Sequence, residues 1–177
     1  MKQKIAIIGA GGHAKVVADL VLKLPEFELI GFVDEQIAVG TSIYAGKEVI
    51  LKQTDLSKLG EFCSHFFVAI GNNVIREKLS EKLKQDLTLV SLIHPSAQIA
   101  SDVTIGLGTV VLANVVINAS SIIGENCIIN SGTIVDHDCN IGANSHLSIG
   151  TKVGSNSDLP AYTLSEIGQS FSSFYKG

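Results

Sequence analysis

From Ile93 to Leu159 every sixth residue is aliphatic: Ile93, Ile99, Ile105, Val111, Ile117, Ile123, Ile129, Val135, Ile141, Leu147, Val153 and Leu159. Ile, Leu and Val make up about a third of this stretch, so an unbroken run in any of six registers is an accident on the order of one in 10^5. Four residues after each aliphatic comes a second column: Ala97, Val103, Thr109, Val115, Ser121, Cys127, Thr133, Cys139, Ser145, Thr151, Ser157 and Thr163. All are small, and none is charged or aromatic. Six is neither the helical period of 3.6 nor the alternation of a half-buried strand; it is a period of parallel β-helix repeats. With three hexads to a triangular coil, residues 18 apart stack at the strand spacing of about 4.8 Å, and the run makes roughly four coils. An antiparallel sandwich is the competing architecture, and it gives no reason for the period.

The hexads begin only at residue 93, which divides the chain into an α/β domain over 1–92, a β-helix over 93–164 and a tail over 165–177. Lys4–Ile8 reads as a short buried strand, followed at once by Gly9-Ala10-Gly11-Gly12-His13-Ala14 and a helix over about Ala14–Leu24 that Pro25 ends. A second strand, Glu28–Val33, runs into Asp34-Glu35. An irregular segment and a short helix capped by Asp55 precede a third strand, His65–Ile70, that ends at Gly71-Asn72-Asn73. A helix over about Val74–Lys84 and a last strand, Leu87–Leu92, complete the alternation. Strands alternating with helices argue a parallel sheet of half-Rossmann size. The Ile93-His94-Pro95-Ser96 junction is short, which predicts a rigid joint. After Leu159 the next register positions are Ser165 and Phe171, so the Ser-rich segment 165–177 reads as a cap or a disordered tail outside the repeat.

A net charge of -4 gives nucleic acid no electrostatic footprint. Lys152 is the only Lys or Arg between Ile93 and Leu164. No secretory signal is legible, and no apolar run approaches the 18 or so residues of a membrane span, which predicts a cytoplasmic protein without membrane partners. Cys63, Cys127 and Cys139 form no CxxC pair, which argues against a disulfide framework or a structural zinc.

Three places have residues suited to chemistry. Gly9–Ala14 matches G-x-G-x-x-[GA], and Asp34 follows Ala14 by 20 residues, where a dinucleotide fold puts its ribose-binding acid. Glycines there let backbone N–H groups approach a phosphate at a helix N-terminus, with His13 at the helix start. A purely structural turn is the alternative, and a small NAD-binding oxidoreductase would share the motif but has no use for twelve hexads. The second place is Val135-Asp136-His137-Asp138-Cys139. His137 stands two positions after an inward aliphatic, hence at a corner of the triangle, and an imidazole near pKa 6.5 accepts a proton from an amine or hydroxyl at neutral pH. The bland reading is a solvated turn histidine. The third place follows from stacking: Asp136 lies over Asn118, Asn130 precedes His137 by seven residues, and His146 points outward just before Leu147. A metal held by His137, His146 and nearby acids lacks any tight ligand spacing.

Taken together, GAGGHAK, FVDE, AIGNN, HPSA and IVDHDC, in this order between Lys4 and about Gly154, resemble the bacterial sugar O- and N-acyltransferases of the sialic acid O-acetyltransferase type. The resemblance is strongest to the enzymes that acetylate a UDP-4-amino-4,6-dideoxy sugar. It implies a homotrimer of left-handed parallel β-helices of hexapeptide repeats with sites between neighbouring subunits. It implies a nucleotide sugar held by Gly11, Gly12 and His13 around the phosphates and Asp34 and Glu35 near the uridine, with Gly71 and Asn72 also binding substrate. Acetyl-CoA would lie along the helix against His146, with no metal. His137 would be the general base, Asp136 would orient it, and Asn130 would share the site. Family members usually continue for several more hexads, so the loss of period after Leu159 raises the alternative of a truncated, inactive relative that only binds nucleotide sugar or trimerises. An O-acetyltransferase is a further alternative. Val110, Val116, Ile122, Ile128 and Ile134 form an outward apolar column that fits a subunit interface.

Overall fold

A computed structural model describes residues 2–177 and divides the chain into two compact units, one ending at Val90 and the other spanning Ser91–Gly177. In the first, β1 (Gln3–Ile8), β2 (Phe27–Val33), β3 (Ser42–Tyr44), β4 (Lys47–Leu51), β5 (His65–Val68) and β6 (Thr88–Leu89) form one sheet in the order β3-β4-β2-β1-β5-β6. All pairings are parallel except the β3–β4 hairpin at the edge. Helices α1 (Gly12–Lys23) and α2 (Asn73–Leu83) follow β1 and β5. Counting only the parallel strands, the spatial order is 3-2-1-4-5, that of a nucleotide-binding doubly wound sheet, and its topological switch point lies between the carboxyl ends of β1 and β5.

The irregular segment expected before residue 53 contains the β3–β4 hairpin, whose two turn residues, Ala45 (φ 49°) and Gly46 (φ 74°), are both left-handed. Such turns favour Asn-Gly or Asp-Gly, and Ala-Gly conceals the signal. Asp55 lies at a kink with non-helical backbone inside a 3-10 segment, Gln53–Glu61, and pairs with Lys58 at 2.8 Å. Leu92, assigned by sequence to the last α/β strand, instead pairs with Val110 in the second unit.

That second unit is a triangular solenoid of three parallel sheets. Each hexad contributes a two-residue strand, and each strand pairs in register with the one 18 residues away, as Val110–Val111 does with Ile128–Ile129. From Val111 to Leu159 every inward aliphatic is buried. Hydroxyls of the small column reach the next coil's carbonyls at the corners: Thr109 Oγ1 donates to Gly124 O at 2.9 Å and Ser121 Oγ to Asp136 O at 2.7 Å. A group that must be narrow and still satisfy an unpaired carbonyl is best served by Ser or Thr.

A third column sets the turns. Gly108, Asn114, Ser120, Asn126, Gly132, Asp138, Asn144, Gly150, Asn156, Tyr162, Gly168 and Phe174 all have left-handed φ, and these residues succeed one another at intervals of six. The column runs on through the segment expected to lie outside the repeat. Residues 165–177 are therefore no tail: Ser170–Phe171 pairs with Lys152–Val153, Leu164 bridges His146, and Lys176 bridges Asp158. Ser165 occupies the aliphatic column and is buried, its hydroxyl 2.7 Å from both Thr151 Oγ1 and the Ser148 N–H. Hydrogen bonding replaces the missing apolar contact, so the period persists in space where it lapses in hydropathy.

A left-handed conformation costs a residue with a Cβ roughly 1–2 kcal/mol, with Asn and Gly least affected. Phe174 adopts it at φ 62° with its ring largely exposed. Phe174→Asn is expected to stabilise the solenoid by about 1 kcal/mol in urea unfolding, and a loss of stability would show that the ring packs in solution. No helix among the described residues is long and apolar enough to cross a membrane.

Candidate functional site

The corner after Ile134–Val135 holds the acid-flanked histidine. Asp138, at φ 57°, makes the turn. Asp136 Oδ1 accepts the His137 backbone N–H at 2.8 Å and Asn118 Nδ2 at 3.0 Å from the coil below. These bonds, Asn118's first, hold the Asp136 carboxyl below the usual carboxylate range. The imidazole itself is bonded to Asp138: Nδ1 lies 2.6 Å from Oδ2. In the structure the expected orienting acid, Asp136, is engaged by backbone and Asn118, and it is Asp138, at the left-handed turn, that bonds the ring. A carboxylate only accepts, so Nδ1 carries the hydrogen and Nε2 is left as the basic nitrogen.

The Asp138 bond raises the His137 pKa above its ordinary 6.5. Proton NMR titration is expected to place the His137 midpoint above that value and to move it downward in Asp138→Asn. An unmoved midpoint would show that the pair does not persist in solution.

Asn130 and His146 lie together at the preceding corner, where Asn130 Nδ2 is 3.3 Å from His146 Nε2 and Asn130 Oδ1 accepts the Ser131 N–H at 2.9 Å. One chain does not join this pair to His137. A full side of the triangle intervenes, on the order of 15–20 Å at the rise of an extended strand. The outward apolar column also needs correction. Ile122 and Ile134 are exposed, at 51% and 40%, on the two faces that meet at the His137 corner, whereas Val110 and Ile128 are fully buried in the single chain and Val116 is half-buried.

In the α/β unit, Gly9 needs its glycine: φ is +103°, and a Cβ would meet the Ile70 side chain at 3.0 Å and Ala69 O at 3.1 Å. Gly11 and Gly12 do not need theirs for internal reasons, since neither has positive φ and a Cβ on either would meet nothing within 4 Å. Their bareness leaves the N-terminus of α1 open. Gly11 caps that helix without a side-chain bond, no acid occupies its first turn, and half-buried His13 follows. Phosphate groups are favoured at such a terminus, where N–H groups and the helix dipole are unscreened.

Asp34 lies at the end of β2 with its carboxylate bonded to backbone: Oδ2 accepts the Ala10 N–H at 3.0 Å, and Oδ1 accepts those of Gln36 and Ile37 at 2.9 and 3.0 Å. Glu35 Oε2 takes the Thr54 N–H at 3.3 Å, and Lys52 Nζ donates to the carbonyls of Glu35 and Ile37. Across the switch point, Asn72 caps α2 by accepting the Ile75 N–H at 3.0 Å. Gly71 O accepts from Arg76, a fully buried guanidinium that also holds Ile70 O and Asn73 Oδ1. Sequence reasoning passed over Arg76, which reads as an ordinary surface position of a polar helix. Among the described residues no cluster of His, Cys, Asp or Glu could hold a metal ion.

A glycine-loop nucleotide-type sheet together with a hexad β-helix carrying an acid-paired corner histidine is the architecture of a hexapeptide-repeat acyltransferase, in which the helix is left-handed. Residues 4–83 match the PglD N-terminal domain family. The chain is 36% identical to PerB from Caulobacter crescentus, solved with CoA and GDP-perosamine, and covers 83% of that protein with 96% of its own length at a TM-score of 0.75. It is 32% identical to the acetyltransferase domain of PglB from Neisseria gonorrhoeae, covering 88% of it with 99% of its own length at a TM-score of 0.73. It is 36% identical over 117 residues to the UDP-N-acetylbacillosamine N-acetyltransferase of Bacillus subtilis, a match that takes in 63% of this chain and spans about half, 52%, of that protein. The chain belongs to this family of hexapeptide-repeat sugar acetyltransferases with a PglD-type N-terminal domain.

Proposed function

We propose that the chain transfers an acetyl group from acetyl-CoA to the amino group of a nucleotide-linked amino sugar in bacterial glycan biosynthesis. The observation that carries this reading is the Asp138–His137 pair at an exposed corner of the solenoid, which leaves Nε2 to take a proton. The sugar amine attacks the thioester carbonyl carbon while its proton passes to Nε2. The tetrahedral intermediate then collapses, the C–S bond breaks, and the imidazolium returns its proton to the departing CoA thiolate. A thiolate is a good leaving group, so the step needs no metal.

On this reading the open N-terminus of α1, with Gly11, Gly12 and His13, takes the nucleotide phosphates, and the Glu35 and Gly71-Asn72 loops flank them. His146 and Asn130 serve acetyl-CoA at their own corner. One chain keeps that corner a triangle side away from His137, so a working site requires the corner of a neighbouring subunit, which is the support for a homotrimer. Ile122 and Ile134, exposed on both sides of the His137 corner, supply apolar surface for that contact. Acetyl-CoA and nucleotide sugars meet in the cytoplasm, which is the proposed location. The binding-only reading drew on the loss of period after Leu159; residues 165–177 continue the repeat in space, which favours the transferase.

Calorimetric titration of the purified protein with acetyl-CoA, and separately with UDP and GDP, tests the two binding roles. Saturable binding of acetyl-CoA and of at least one nucleotide is expected. Nucleotide binding without acetyl-CoA binding would return the chain to a binding role only.

A further inference from the structure

We infer that Asp34 is a positioning residue that locks the phosphate-binding loop and does not itself touch the nucleotide; the inference rests on the nucleotide-sugar reading above. In a dinucleotide fold the acid at the end of the second strand accepts hydrogen bonds from the ribose, which requires a carboxylate free to face the ligand. Here both oxygens are already engaged by three backbone N–H groups: Ala10 on Oδ2, and Gln36 and Ile37 on Oδ1. The carboxylate thereby ties the loop after β1 to the loop after β2, and Lys52 clamps the second loop from its other side through the carbonyls of Glu35 and Ile37.

What the tie achieves follows from the loop itself. Gly9 donates its N–H to Val33 O at 2.8 Å in a conformation that only glycine fits, and Ala10 is buried. Beyond them, Gly11 and Gly12 meet nothing and Gly11 has no side-chain cap, so the direction of their N–H groups depends on how Ala10 is held. The charge-assisted bond from Ala10 to Asp34 holds it. It pre-organises the open N–H groups, which lowers the ordering cost when a phosphate arrives. Three N–H partners also offset the negative charge that a bare carboxylate would present to that phosphate.

Asp34→Asn discriminates the two roles, because one oxygen becomes an NH2 group and a donor then faces either Ala10 or the Gln36–Ile37 pair. The full chain and the variant are titrated calorimetrically with UDP and GDP and with their 2′-deoxy forms, and with acetyl-CoA as a control. The variant is expected to bind the ribo and 2′-deoxy forms of the preferred nucleotide about tenfold more weakly, both to the same extent, with acetyl-CoA affinity unchanged. Weakening confined to the ribo form would make Asp34 a direct ribose reader and overturn the inference, as would wild-type affinity in the variant. If the wild type binds none of the nucleotides, the nucleotide-sugar reading falls and takes the inference with it. Should the variant fail to fold, amide exchange in the wild type decides: protection at Ala10 in the ligand-free protein supports the lock, and exchange at open-loop rates overturns it.

Discussion

His137→Ala is expected to lower acetyl transfer by about 10^3-fold or more while leaving nucleotide affinity within about twofold of wild type, in line with the 10^2–10^4 that a positioned general base contributes. The expectation follows from the corner geometry. The ring makes its Nδ1 bond to Asp138 and is half exposed, so its removal opens no cavity and strands no buried partner. The nucleotide loop belongs to the other compact unit and keeps all its bonds. The loss should therefore appear in kcat, with urea midpoints unchanged. His137→Gln, which retains a polar group but no basic nitrogen, should be as inactive. Full activity in either variant would remove His137 from the mechanism.

The second large effect is expected from Gly124→Val, which should destabilise the solenoid by about 3–5 kcal/mol, the range in which a backbone clash cannot relax. A Cβ at Gly124 would lie 2.6 Å from Ala143 N and 2.7 Å from its Cα in the next coil, and Gly106 and Gly142 stand in the same relation to the coils above them. The three glycines share one corner of successive coils, and each obstructing atom is backbone. Gly132→Asn is the contrasting variant. Gly132 has φ +71°, but nothing lies within 4 Å of a Cβ there, and Asn tolerates that conformation, so the cost should stay below about 1 kcal/mol. Thermal unfolding of the pair should differ by roughly 10 °C. Equal melting temperatures would mean that the coils are not stacked in this register.

The solenoid was legible because its core admits only two side-chain positions per hexad, and both are visible in composition. Legibility failed where chemistry substituted for hydropathy. Ser165 sits in the aliphatic column and satisfies its hydroxyl on Thr151 and Ser148, so a hydropathy reading ends the repeat one coil early. The left-handed column would have carried the repeat further, since most of its members are Gly, Asn or Asp, but Tyr162 and Phe174 disguise its end. The outward residues were half legible: Ile122 and Ile134 are exposed, while Val110 and Ile128 occupy the same repeat position and are buried, a difference set by tertiary surroundings that no period encodes. At the site, the 18-residue register placed Asn118 under Asp136, and the bond is there. Which acid bonds His137 depended on where the left-handed turn at Asp138 directs its side chain, a detail of geometry that the period alone does not state.

Acetyl transfer is tested most directly by a CoA thiol-release assay with acetyl-CoA and, in separate reactions, a UDP-linked 4-amino-4,6-dideoxy sugar and GDP-perosamine. Release is expected with at least one of these sugars, stoichiometric with N-acetylated product and lost in His137→Ala. A protein that binds both acetyl-CoA and the nucleotide sugar yet releases no thiol would contradict the proposed transfer.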